Sequence, residues 1–225
     1  MALAAICAGF TFTSCSSNSN NDTRLCDVIS VAPSDSMSNC SFAESKAVDM
    51  GLPSGLKWAA GNLGAEEETE TGLYFAWGET EGHTSNSGYE LTDSNYIAKG
   101  LSGITDDLTL EQDAAHAALG GDWRMPTKAE FEELIEGCDV AWTDDFEGSG
   151  VAGNVFTSKV NGATLFFPAS GGNDGSLLIG LGAGCGCRSS TYEDNSNACS
   201  FGFYTSLQCM YNNIRHYGFS VRAVC

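Results

Sequence analysis

Positive charge is what this chain has least of: 10 Lys and Arg stand against 29 Asp and Glu in 225 residues, a formal net charge of −19. Such a surface repels phosphate backbones and anionic headgroups, so nucleic acid is not an expected partner. Proline is scarce at 4 residues while glycine reaches 27, a balance that suits a compact fold with many tight turns. Histidine numbers 3, and no second His or carboxylate recurs at ligand spacing around His83, His116 or His216. No His-based catalytic centre, metal or cofactor is expected. The apolar opening MALAAICAGFTF is too short to span a bilayer. From Leu181 to the end there is neither Lys nor Trp.

What remains is enough for a core. Hydrophobic residues make up 42% and aromatics 10%, which argues for one packed domain plus a tail. The start, MALAAICAGFTFTSCSSNSNNDT, resembles a bacterial lipoprotein signal, with Phe12-Thr13-Ser14-Cys15 as a loose lipobox. Residues 1–14 would then be removed and Cys15 lipidated, anchoring an exported chain to the outer membrane at the cell surface. No Lys or Arg precedes Arg24, so the usual basic n-region is missing, and a buried apolar strand is the alternative. Residues 15–47, polar and low in complexity, read as a tether.

Ten cysteines fit an oxidising compartment. With Cys7 in the signal and Cys15 lipidated, Cys26, Cys40, Cys138, Cys185, Cys187, Cys199, Cys209 and Cys225 remain. None has C-x-x-C spacing, Cys185-Gly-Cys187 is a weak metal signal, and connectivity is not readable.

The head spans 48–225. Its first stretch, VDMGLPSGLKWAAGNLGA, reads as short strands and turns, and GLYFAWGET as a core run. Residues 80–106 read as loop. Thr109 with Gln112 forms a capping box before a helix LEQDAAHAAL ended by Gly120-Gly121. Thr127 with Glu130 forms another before KAEFEELIEG, where Phe131, Leu134 and Ile135 share one face. GNVFTSKV and ATLFFPAS then read as strands, GGNDGS as a turn, and GFSVRAV as a closing strand with Phe219 and Val221 inward. Helices first and strands after them predict an α+β fold.

Four ordered blocks, VDMGLPSGLKWAAGNLGA, GLYFAWGET, GGDWRMPTKAEFEELIEGC and YGFSVRAV, together resemble the major paralogous domain family of surface proteins in gut-type Gram-negative bacteria. WRMPTKAEFEEL also looks like the W-R-L-P-T-x-x-E element of formylglycine-generating-enzyme-like domains. The resemblance implies a C-type-lectin-like fold, two helices packed on small twisted antiparallel sheets with long loops. It implies, too, a variable protein of a diversity-generating retroelement, whose error-prone copying replaces template adenines. An AAC or AAT codon so treated yields Asn, Tyr, Ser, Cys, His, Arg, Asp, Gly, Ile or Phe, but never Lys, Trp, Met, Gln or Glu. The chain after Leu181 follows that bias, with Glu193, Gln208 and Met210 as its exceptions.

The variable region is accordingly placed at about 181–217. In ACSFGFYTS, Phe201 and Phe203 would anchor one strand face while the other varies. The expected ligand-binding face comprises Cys185, Cys187, Arg188, Tyr192, Asp194, Asn195, Asn197, Ser200, Gly202, Tyr204, Ser206, Tyr211, Asn213, Ile214 and His216. Glu193 and Asp194 against Arg188, Arg215 and Arg222 leave this segment near neutral on an acidic body, free to touch varied partners. The expected function is a tethered receptor or adhesin for protein or glycan ligands on another cell, a phage or a host surface. Two other readings are a formylglycine-generating-type copper oxidase using Cys185 and Cys187, and a structural subunit of a surface fibre.

Overall fold

The five-stranded sheet that organises the molecule runs in the order Leu207–Ile214, Asn197–Tyr204, Gly184–Tyr192, Ser170–Asp174, Leu177–Leu181 and curls into half a barrel. The structure, a computed structural model, describes residues 46–84, 92–205 and 207–225. The expected signal peptide, Cys15, nearly all of the tether, Cys26, Cys40 and Ser206 lie outside the described residues.

The strands are β1 (Ala47–Asp49), β2 (Lys57–Ala59), β3 (Cys138–Thr143), β4 (Gly153–Ser158), β5 (Thr164–Pro168), β6 (Ser170–Asp174), β7 (Leu177–Leu181), β8 (Gly184–Tyr192), β9 (Asn197–Tyr204) and β10 (Leu207–Ile214). The helices are α1 (Asp93–Ala98), α2 (Ala114–Leu119) and α3 (Lys128–Gly137). β1 pairs with β2, and β3, β4 and β5 form a second antiparallel sheet. One parallel contact, Gly171 to Cys185, joins β6 to β8. Few helices and several antiparallel sheets make this an α+β fold.

α3 forms where its sequence says it should. Thr127 accepts from the Glu130 amide at 3.3 Å, and the Glu130 carboxylate reaches back to the Thr127 amide at 2.8 Å. The same carboxylate takes a fork of two bonds from Arg124, at 2.6 and 2.8 Å. The helix buries Phe131 and Leu134 completely. Phe131 lies against Phe201 of β9 at 5.0 Å and against Trp58 of β2 at 5.3 Å between ring centroids, so one helix face knits two sheets. Each such ring pair adds about 0.5–1.5 kcal/mol beyond its buried area.

Burial alone would raise the Glu130 carboxyl, but Arg124 and the Thr127 amide outweigh it and hold it below the usual 4.5. Its stabilisation is therefore present above pH 4.5 and lost as pH falls through the lowered value. Glu130→Gln keeps the cap and breaks the ion pair. We expect a loss of about 1 kcal/mol at pH 7, closing to nothing in acid, when urea melts of the two proteins are compared.

The other expected helix is divided. Leu110–Gln112 makes a single 3-10 turn under the Thr109–Gln112 box, and Asp113, with φ −96° and ψ 117°, breaks the run. Asp113 is buried and accepts from the amides of Ala115, His116 and Met125, so it caps α2 instead of continuing a helix from Leu110. α1, capped by Thr92, falls in the stretch read as loop. GFSVRAV is not a continuous strand but a series of bridges, Phe219 to Phe75, Ser220 to Cys187 and Val224 to both Trp58 and Arg124. Val221 is buried as expected, whereas Phe219 turns toward the concave face.

Candidate binding face

Alternation along three neighbouring strands separates a core side from an open side. Cys185 and Cys187 of β8 lie opposite Phe203 and Phe201 of β9, and Met210 of β10 lies opposite Phe201. Both phenylalanines are fully buried and belong to the core that α3 covers. Residues of the other parity line the inside of the curl, where Gly184 faces Tyr204 and Gly186 faces Gly202 across the β8–β9 ladder.

Inside the curl is a cavity of about 250 Å³ with glycine for a floor and aromatic rings for walls. The rings lie so close to the glycines that a side chain there would have to push them aside. A Cβ built on Gly202 would meet the Tyr211 ring at 2.8 Å, and one on Gly184 the Tyr204 ring at 2.8 Å. Phe219 covers both Gly172 and Gly186, at 2.2 and 2.5 Å from their hypothetical Cβ atoms. Tyr217, Asn173, Asp174, Asn213 and Ile179 complete the wall. The neighbouring Cys209 thiol, followed by desolvation, pushes the Tyr211 phenol up to about 12. Desolvation and the Asp174 carboxylate raise Tyr217.

Of the residues expected to form the face, Gly202, Tyr204, Tyr211 and Asn213 meet at this cavity, and Cys185 borders it although largely buried. Tyr192, Asp194, Asn195 and Asn197 lie instead at the β8–β9 turn, where Asn197 pairs with Ile214 at the far end of the hairpin from Tyr204. The exposed Asp194 carboxylate holds that turn, accepting from Asn197 and from the Ser196 amide, and these bonds lower its pKa. His216, beside Ile214, stands 3.8 Å from Asp93.

Four expected contacts are corrected by burial. Cys187, Arg188 and Ser200 have no exposed surface, and Cys185 retains 8%. Arg188 donates from Nη2 to the carbonyls of Ile214 (2.9 Å), Arg215 (3.0 Å) and Tyr217, and from Nη1 to Ser200 Oγ at 3.3 Å. Its guanidinium also stacks 4.6 Å from the Phe219 centroid. Arg215 and Arg222 are buried as well, over Trp77 and Tyr192 and over Phe167 respectively. None of the three has an ion-pair partner among the described residues; carbonyls, the Ser200 and Asn62 side-chain oxygens and ring faces surround them, while Arg188 Nε and Arg215 Nη2 stay buried without a hydrogen-bond acceptor. The near-neutral charge of the C-terminal segment is thus no property of its surface. Burial lowers Arg188 to about 9 and Arg222 to about 10, values at which both stay charged near pH 7.

Cys138, Cys185, Cys187, Cys199 and Cys209 are free thiols. Cys185 and Cys187 project from the same side of β8 with sulfurs 3.7 Å apart, and Ser170 Oγ lies 3.1 Å from Cys185. The bond from Cys187 lowers Cys185 and correspondingly raises Cys187 well above the ordinary thiol.

Residues 171–174, Ile179, Gly180, Tyr217 and Phe219 border the cavity without having been singled out for it. The GGNDGS stretch carries turn chemistry, and nothing in it signals that a hairpin would fold across to face β9 and β10. Comparison with protein-family models, curated proteins and solved structures yields no match for this chain.

Proposed function

We propose that this protein is an exported, surface-tethered receptor or adhesin whose C-type-lectin-like head presents a retroelement-diversified binding face to protein or glycan ligands. The observation that carries the reading is the division of β8, β9 and β10 between a locked side and an open side. Phe201, Phe203 and Met210 pack under α3, while Gly202, Tyr204, Tyr211 and Asn213 line a concavity from the same strands. Side chains on the open side can change while the buried side keeps its shape. Substitutions outside the core typically alter stability by less than about 0.5 kcal/mol. Tyr and Asn there supply rigid amphipathic area beside adaptable hydrogen bonding, as in antibody loops. Within the set proposed for variation, Cys187, Arg188 and Ser200 are now assigned to the frame.

The test is genetic and structural together. Sequencing the flanking locus is expected to find a reverse-transcriptase gene and a near-copy of the 3′ coding end that differs only at adenines. Sister genes uniform at the codons for Tyr204, Tyr211 and Asn213 would defeat the proposal. In parallel, the triple change Tyr204→Ala, Tyr211→Ala, Asn213→Ala is expected to leave a cooperative melt within about 5 °C of the parent. A collapsed fold would count equally against it.

The Cys185–Cys187 pair gives the oxidase reading its one specific observation. Two thiols at 3.7 Å suit a soft cation such as Cu(I). They stand without any third His, Cys, Asp or Glu grouped for a metal among the described residues. Tight, stoichiometric copper uptake that protects both thiols from alkylation would favour that reading over the receptor.

A further inference from the structure

We propose that the cavity is a site for an organic cation, the alkylammonium or guanidinium head of a Lys or Arg side chain carried by a partner polypeptide. The inference rests on the binding-face reading and names the chemistry of its ligand. Three tyrosines, Tyr204, Tyr211 and Tyr217, border the cavity, and an aromatic face is the negative pole of its quadrupole. Asp174 adds a full negative charge to the same wall and lies beside the Tyr217 phenol. Among the described residues, no Lys, Arg or His borders the cavity. The Arg188 guanidinium lies against Phe219, fully buried, and its Nη2 is engaged by carbonyls.

The chain as a whole carries a net −19, a field that concentrates cations and repels anionic sugars or phosphates. The glycine floor lets the rings lie low, so that a head group the size of an ammonium can sit among them. A polypeptide is the favoured carrier because the wall continues into an apolar ledge. Ile179, 52% exposed, borders the cavity, and Leu177, 62% exposed, precedes it by two residues on edge strand β7. A free small cation has no use for such a ledge, whereas the residues flanking a Lys or Arg can cover it.

The experiment titrates the full chain while tyrosine ring resonances are followed by NMR. The probes are a Leu-Lys-Leu peptide, choline, its neutral isostere 3,3-dimethylbutan-1-ol and methyl glucoside. Expected is movement of the cavity tyrosines by both cations, with the peptide binding more tightly. Asp174→Asn, at an exposed position, should weaken the peptide by about fivefold, and Tyr204→Leu by a similar factor, as should added salt. Equal response to the neutral alcohol, or an unchanged affinity in Asp174→Asn, overturns the proposal. If only the glucoside moves the rings, the cation site is wrong while the binding face stands. Silence with every probe rejects the cation site, and the face is then judged by the adenine differences between sister genes.

Discussion

Arg188→Met is expected to lower the stability of the folded chain by on the order of 4 kcal/mol, read as a fall of about 10 °C in the melting temperature. The methionine fills much of the volume but offers no donor. The carbonyls of Ile214, Arg215 and Tyr217 and the Ser200 hydroxyl would lose their partner in the interior. A buried acceptor left unsatisfied costs about 1–3 kcal/mol, so even partial rescue by water leaves a large deficit. The loss of the guanidinium from the Phe219 face adds to it and frees that ring to leave its glycine floor. A surface contact residue would behave oppositely, changing binding and not the melt. A shift smaller than about 2 °C would return Arg188 to the variable face and undo the frame described for it.

Gly171→Ala should be the most damaging of the small substitutions. Gly171 has φ +64°, a region in which a residue with a Cβ is strained, and the added carbon would sit 2.3 Å from the Ile179 carbonyl oxygen and 2.7 Å from the Leu181 nitrogen. These are backbone atoms of β7 and cannot rotate away. The β6–β7 hairpin must move, and with it the wall carrying Asn173, Asp174 and Ile179. We expect at least about 3 kcal/mol of lost stability and the disappearance of ligand binding at the cavity. Gly175→Ala is the control: its φ of +58° carries the same backbone strain, but nothing lies within 4 Å of the new carbon. It should cost about 1 kcal/mol and spare binding. Equal melts for the two variants would mean that close approach, as distinct from conformation, does not shape the curl.

Local chemistry made several elements legible. The Thr127–Glu130 box, the stripe of Phe131 and Leu134 and the glycine at the helix end locate α3 from nearest neighbours alone. The alternation in ACSFGFYTS likewise assigns Phe201 and Phe203 to the core and Gly202 and Tyr204 to the other side. Asp113 defeated the same kind of reasoning. Its side chain could continue a helix surface or cap a new one, and the choice was made by the Met125 amide 12 residues away. Arg188 shows the limit more sharply. In a stretch rich in Tyr, Asn and Ser, an arginine reads as one more exposed contact. Only the convergence of three carbonyls from the end of β10 and the chain just after it makes it an interior strut.

By itself the sequence determined the acidic body, the α+β character, the α3 cap and which side of β9 faces the core. These follow from charge counts, propensity and a period of two, all of which act between residues close in the chain. The tertiary structure alone decided that three arginines are interior, that Cys185, Cys187 and Ser200 leave the surface, and that glycines from β6, β8 and β9 form one floor beneath the rings of Tyr204, Tyr211 and Phe219. Those outcomes depend on distances between segments far apart in the chain, and a carbonyl or a ring face can satisfy a guanidinium only after the fold has carried it there.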